Sequence, residues 1–187
     1  MPGRPSTGRS WHVSSPPEVQ GVVIRDVDPQ GVDALALLNE ASVDARALYP
    51  ELFAGTTGSA TNEPLVERGV YVVAYVDERP LACGALRPLD RSTAELRRIY
   101  VHRGHRRHGL ARAVIEHLER EAVRLGFDRL VLETGYRQEP AMRLYESGGF
   151  RRVPPFGPYA GDPTSVCFER VLSGGISTGS ADSTGAS

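Results

Sequence analysis

Residues 101–114 read VHRGHRRHGLARAV. Four arginines and three histidines surround two glycines, and an apolar pattern then begins. Immediately upstream, AELRRIYV (Ala94–Val101) reads as a strand. Downstream, Leu110, Ala111, Val114, Ile115, Leu118, Ala122 and Leu125 share one helical face, with Arg112, Glu116, Glu119 and Arg120 opposite. Gly126 closes that helix. The basic run therefore joins the end of a strand to the start of a helix. A helix start leaves backbone N–H groups unpaired and carries about half a unit of positive charge, which attracts anions. Gly109 removes the Cβ that would hold a phosphate off those amides, and Ala111 adds only a methyl. Arg106 and Arg107 supply fork-shaped, charge-assisted donors. The stretch reads as a diphosphate cradle; spacing alone leaves a solvated basic loop as the alternative.

Outward from this point the elements alternate. GVVIRDV (Gly21–Val27) is a short strand, and Val32, Leu35, Leu38 and Val43 have helical spacing that ends before Pro50. Gly55 to Glu63 is a polar loop. VYVVAYV and LACGALRPL flank DERP as a hairpin. RLVLET is short and apolar, as in a buried parallel strand. EPAMRLYESGGF is a helix with Pro140 in its first turn and Gly148-Gly149 at its close. SVCFERVL is a last strand. A hairpin, then strand–helix–strand–helix, then a closing strand predict a mixed α/β sheet. Residues 1–19 and 174–187 are rich in Pro, Ser and Gly and read as disordered tails, leaving one domain over 20–173.

Composition narrows the function. The 187 residues suit one domain, with 40% hydrophobic and 24% charged residues and a net charge of -1. The six arginines between Arg97 and Arg112 are thus a local feature, without a global basic field for nucleic acid. The helix after them continues no basic face, and only Tyr100 interleaves as an aromatic, which argues against nucleic-acid binding. His102, His105 and His108 recur every third residue, but no further Cys or His lies nearby and arginines flank His108, so no metal is expected. Cys83 and Cys167 sit in apolar strands as free thiols. The N-terminal residues lack a signal-peptide core, and the longest apolar run, Val70–Val76, is too short to span a bilayer. A cytoplasmic protein without a membrane partner is expected. All 22 Lys+Arg residues are arginine, so a P-loop lysine is absent, and no G-x-G-x-x-G follows a strand.

Arg106-x-x-Gly109-x-Ala111, opening a helix after RRIYV, resembles the R/Q-x-x-G-x-G/A acyl-CoA signature of the GCN5-related N-acetyltransferases (GNAT). RLVLET and AMRLYESGGF follow at the distances of that family, the latter similar to its A-x-x-x-Y-x-x-x-G-F segment. Two departures are Ala111 at the second glycine and Gln138 where an Asn often stands. The resemblance implies a mostly antiparallel central sheet of about six to seven strands with helices on both faces. It implies acetyl-CoA as co-substrate and a small-molecule or peptide amine as acceptor; it is also compatible with a homodimer. A non-catalytic acyl-CoA-binding module is the alternative.

The resemblance also distributes roles. Arg106, Arg107, His108, Gly109, Leu110 and Ala111 would hold the diphosphate, Ile99, Tyr100 and Val101 the pantetheine arm and carbonyl, and Gln138 the cofactor backbone. Tyr145 would return a proton to the leaving thiolate, although its spacing with Ala141 and Leu144 suits a core aromatic equally. Glu95, directly or through water, is the first candidate base, and Glu133 the second. Tyr49, Glu51, Phe156 and Tyr159, from ALYPELFAG and VPPFGPYAGDP, are candidate acceptor-site residues together with Glu133.

Overall fold

A computed structural model describes residues 21–54 and 60–172. The two expected tails lie outside the described residues. Seven strands form one sheet: β1 (Val22–Asp26), β2 (Val70–Val76), β3 (Arg79–Pro88), β4 (Thr93–Val101), β5 (Arg129–Gly135), β6 (Arg151–Val153) and β7 (Ser165–Val171), in the spatial order β1-β2-β3-β4-β5-β7-β6. Every neighbouring pair is antiparallel except β4–β5. The helices are α1 (Val32–Leu48), α2 (Leu110–Arg124) and α3 (Glu139–Ser147).

Residue alternation explains the layering. In β4, Ala94, Leu96, Ile99 and Val101 join the main core with Val114, Leu118 and Tyr145 of α2 and α3. Cys83 of β3 and Tyr71, Val73 and Tyr75 of β2 face the other way, packing with Ala34 and Leu37 of α1 and with Tyr100 at its edge. Helices thus cover both faces. Cys83 and Cys167 are buried free thiols. Leu110 heads the buried stripe of α2, and Gly126 takes a left-handed φ of 80° just beyond its end.

Two irregularities position the site. Between Cys83↔Tyr100 and Ala85↔Arg97, β3 advances two residues while β4 advances three. The surplus makes a β-bulge, with Arg98 at a φ of 58° opposite Gly84. A bulge bends its strand, and β4 pairs with β5 only from Thr93↔Arg129 to Leu96↔Leu132. β5 nevertheless stays paired with β7 through Gly135↔Ser165. The two parallel strands therefore part after Leu96.

Gly84 is required where β3 meets the bulge. A Cβ there would lie 2.7 Å from both Ile99 Cδ1 and Val114 Cγ1, and 2.9 Å from Leu118 Cδ1. Gly84→Ala is expected to lower unfolding free energy by about 1–3 kcal/mol through overpacking, read as a lower urea midpoint with an unchanged slope.

Candidate active site

The loop after β4 holds the residues read above as a diphosphate cradle. Residues 103–105 make one 3-10 turn, with His102 Nδ1 accepting from the Gly104 N–H at 3.2 Å. Arg107 (φ 65°) and Gly109 (φ 84°) are left-handed, and such residues beside right-handed ones turn successive N–H groups toward one concavity. Gly109 is the N-cap of α2, where no side chain caps and no acid stands in the first turn. The first-turn amides of Leu110, Ala111 and Arg112 thus have no intrahelical acceptor and no side-chain cap. Arg106, Arg107, His108 and Gly109 are exposed, whereas the Leu110 side chain is buried beneath.

The arginines of this loop are not all turned into the cradle. Asp44 of α1 pairs with both Arg103 and Arg106, and Arg106 Nε also donates to the Val101 carbonyl at 3.2 Å. Burial works against the Asp44 charge, but the hydrogen bonds from Arg103 and Arg106 outweigh it and hold the carboxyl below its usual range. Tyr100 points toward α1 as well, donating to Asp44 Oδ2 at 3.2 Å. Burial, with the Asp44 and Glu40 charges, pushes its phenol up to about 12. His102 and His105 face one another edge-on, with ring centroids 5.2 Å apart. Among the described residues no group of three or more His, Cys, Asp or Glu side chains is arranged to hold a metal. Nor is any helix among them long and apolar enough to cross a membrane.

Three ionisable side chains lie around the strand separation, on both faces of the sheet. Tyr145 of α3 is buried, its ring 5.9 Å from Phe150 and 5.8 Å from Phe168. Burial first, and the Glu133 charge second, raise its phenol far above the ordinary value, so it stays protonated. Glu133 of β5 is half-buried and accepts from Ser165 Oγ at 2.8 Å. Burial raises its pKa, the Ser165 bond opposes this, and the charges of Asp162 and Glu95 reinforce it.

Glu95 is different. It is 1% exposed, its Oε2 accepts from Arg87 Nη2 at 2.8 Å, and its Oε1 accepts from the Tyr159 hydroxyl at 2.6 Å. Arg97 Nε lies 3.9 Å from the same Oε2. A buried carboxylate needs such partners. Tyr159 is half-buried and stacks edge-on with Phe156 at 5.5 Å, joining the loop before β7 to β4.

The remaining sequence candidates fall further out. Tyr49, 5% exposed, lies across Gly135 and accepts from the Arg137 N–H at 3.0 Å. Glu51 is exposed and pairs with Arg137 at 2.8 Å. Gln138 is the exposed N-cap of α3, its side chain making no capping bond. Ile99, Tyr100 and Val101 follow the bulge on β4, beyond its last β5 partner. The sequence reading missed Asp44, Arg87 and Arg97. Their partners lie 62, 8 and 34 residues away, and no local pattern connects them.

Known proteins agree with this geometry. Residues 35–150 match the family model "Acetyltransferase (GNAT) family". An uncharacterized N-acetyltransferase, YsnE of Bacillus subtilis (strain 168), is 40% identical over 101 residues, spanning 53% of this chain and 67% of its own. IAA acetyltransferase of Azospirillum brasilense is 34% identical over 103 residues, with 54% and 67% covered. An acyl-CoA N-acyltransferase-type structure from Klebsiella pneumoniae superimposes with a TM-score of 0.68 at 26% identity, covering 83% of this chain and 99% of that one. A GNAT family acetyltransferase from Elizabethkingia anophelis, solved with acetyl-CoA bound, shares the fold at a TM-score of 0.59 and 17% identity, with 82% and 99% covered.

The contact of Tyr49 with Gly135 gives a test of the site's wall. A Cβ on Gly135 would sit 2.2 Å from Tyr49 Oη and 2.7 Å from Cζ. Gly135→Ala should cost about 1–3 kcal/mol. Combined with Tyr49→Phe it should cost less than the sum of the two single changes, because the worst clash is with the hydroxyl. Chemical unfolding of the four proteins measures the difference.

Proposed function

This chain belongs to the acetyltransferase (GNAT) family and is an N-acetyltransferase, and from that premise we propose that it uses acetyl-CoA to acetylate a primary amine of a small molecule or peptide within one domain over 20–173. The observation that carries the proposal is the parting of β4 from β5 after Leu96 beside an uncapped α2 N-terminus. Acetyl-CoA supplies an acetyl group already activated as a thioester. The protein's share is to hold that molecule, admit an amine and move two protons.

The residues present suit such a co-substrate. The amides at the α2 entrance, with Arg106, Arg107 and His108, would hold its diphosphate, Gly109 keeping the approach open. Arg106 would exchange Asp44 for phosphate. The β4 backbone from Ile99 to Val101 would line the pantetheine arm, with Tyr100 and Gln138 beside it.

Alkylamines arrive protonated, with pKa values near about 10, and must lose a proton before they attack. Two carboxylates stand near the strand separation. Glu95 has donors on both oxygens and is 1% exposed, which leaves an amine little room to reach it. We assign it the positioning of Tyr159 and Arg87. Glu133 has one donor on it, partial exposure and a raised affinity for protons, and we assign it the role of base. Tyr145, kept protonated by burial, is the acid that returns a proton to sulfur. The mechanism involves no enzyme nucleophile: Cys83 is buried against α1, and Cys167 lies within β7.

Saturating acetyl-CoA should raise the melting temperature, since a ligand bound only by the native state stabilises it. Arg106→Ala should lose most of that rise while its unliganded melting temperature stays near wild type; no rise in the wild type would end the proposal. Tyr145→Phe and Glu133→Gln should each lower kcat by about 10²–10⁴ with the acetyl-CoA shift retained. A base must be deprotonated, so kcat should fall as pH drops through the Glu133 ionisation, at a pH above the ordinary glutamate value of about 4.3. Glu133→Gln should abolish that limb of the profile.

A further inference from the structure

On the α1 side of the sheet, segment 62–70 covers a cavity of about 60 Å³ over β2, β3 and β4. At about 30 Å³ per water, that is room for two waters or one carboxylate group. Arg87, Arg97 and Arg98 line it, together with Asn62, Glu63 and Tyr71. Three guanidinium groups at so small an opening are unusual enough to require an account.

Their partners leave a positive excess. Arg87 Nη2 pairs with Glu95 at 2.8 Å and Nη1 lies 3.8 Å from Glu63. Arg97 Nη1 lies 3.4 Å from Glu63, and its Nε 3.9 Å from Glu95. Arg98, exposed on the bulge, makes no ion pair among the described residues. Three cations thus face two carboxylates. One of these, Glu63, has a side chain 65% exposed, and so open a pair is readily exchanged for a ligand. Tyr71 Oη and Asn62 Oδ1 are buried nearby, and neither completes a hydrogen bond among the described residues. Leu65, Val66, Val70, Ala85 and Leu86 make the rest of the lining apolar, so the positive, incompletely paired groups form one edge of it.

Arg97 connects this cavity to the strand separation. Its Nε lies 3.9 Å from the Glu95 carboxylate that holds the Tyr159 hydroxyl, and Glu133 follows two residues after Val131, the β5 partner of Glu95. Positive charge at one end and the Glu133 carboxylate at the other complement a zwitterion. We infer that the acceptor is a small amine bearing a carboxylate, an amino-acid-like molecule whose carboxylate binds Arg97 and Arg98 in this cavity while its amine faces Glu133. This inference rests on the acetyl-transfer reading. Guanidinium forks suit carboxylates bidentately, and a neutral amide in the same place would leave them unpaired.

The test compares the standard L-amino acids, β-alanine and γ-aminobutyrate with their carboxamides as acceptors for the full chain, reading thiol release from acetyl-CoA. At least one free acid should exceed its amide by about tenfold or more in kcat/KM, as expected where a buried polar site loses its partner. Arg98→Gln should raise KM for that acid about tenfold with kcat nearly unchanged, and should leave its acetyl-CoA melting shift intact. Arg97→Gln provides the second variant if Arg98→Gln fails to fold. Amides that match or exceed the acids, or no turnover of any acid in a protein that acetyl-CoA still stabilises, would overturn the inference alone. Absence of that stabilisation would instead overturn the acetyl-CoA reading beneath it.

Discussion

The site depends on two parallel strands that begin paired and then separate. β4 carries one residue more than β3 across the bulge, so it bends. β5 does not follow, because β7 holds it along its whole length to Gly135. One bent strand beside one straight strand leaves backbone polar groups without a sheet partner. Inside a sheet such groups are costly unless something pairs with them. Water or a ligand does so. The bulge is secured from the other side by the absence of a side chain at Gly84, where Ile99, Val114 and Leu118 occupy the space of a Cβ. Packing under the sheet and the opening above it are therefore one feature.

Electrostatics around the opening follows a different logic from net charge. Arg103 and Arg106 have side chains 60% and 50% exposed, and both reach back to Asp44, which is 20% exposed. Exposed ion pairs contribute about 0–1 kcal/mol, so releasing one of these arginines to an incoming phosphate costs little. Asp44 also reduces the repulsion among a run of cations packed onto one loop. Glu95 and Arg87 represent the opposite case. With Glu95 sealed, removal of its partner would strand a buried charge, a penalty of about 3–5 kcal/mol. The first set of contacts suits exchange; the second suits holding Tyr159 in one place.

How much of this was legible in the sequence depended on the range of each signal. α2 and its cradle were readable because the apolar stripe from Leu110, Gly109 and Gly126 all lie within a few turns of one another. The helix α1 and strands β1 to β5 and β7 follow the predicted runs to within a few residues. β6, three residues paired only with β7, has no periodicity of its own to detect. The bulge was invisible in LRRIYV, since Arg98 at a φ of 58° is set by its pairing with β3 and by no local preference. Glu95 was named as the first candidate base, but its burial and its partners Arg87 and Tyr159, from β3 and from 64 residues downstream, had no local signal. Tyr49 was named as a candidate acceptor-site aromatic. That it fills the space above Gly135 follows only from the folded chain.

The layering of the sheet confines the chemistry. The cradle and Tyr145 belong to the α2–α3 side, whereas Glu95 and the arginine-lined cavity belong to the side of α1. Two reactants held on opposite faces of a continuous sheet would be separated by hydrogen-bonded backbone. Here the backbone ladder is missing after Leu96↔Leu132, and there the Glu133 charge reaches the Tyr145 phenol. A carboxylate that gains a proton more readily and a phenol that loses one less readily are both consequences of burial at that gap. Burial raises both pKa values, helped by the Asp162 and Glu95 charges at Glu133 and by the Glu133 charge at Tyr145, so the carboxylate takes up a proton more readily while the phenol keeps its own. In the proposed reading, the acid and the base meet at this gap, and the acceptor would be held from the α1 side.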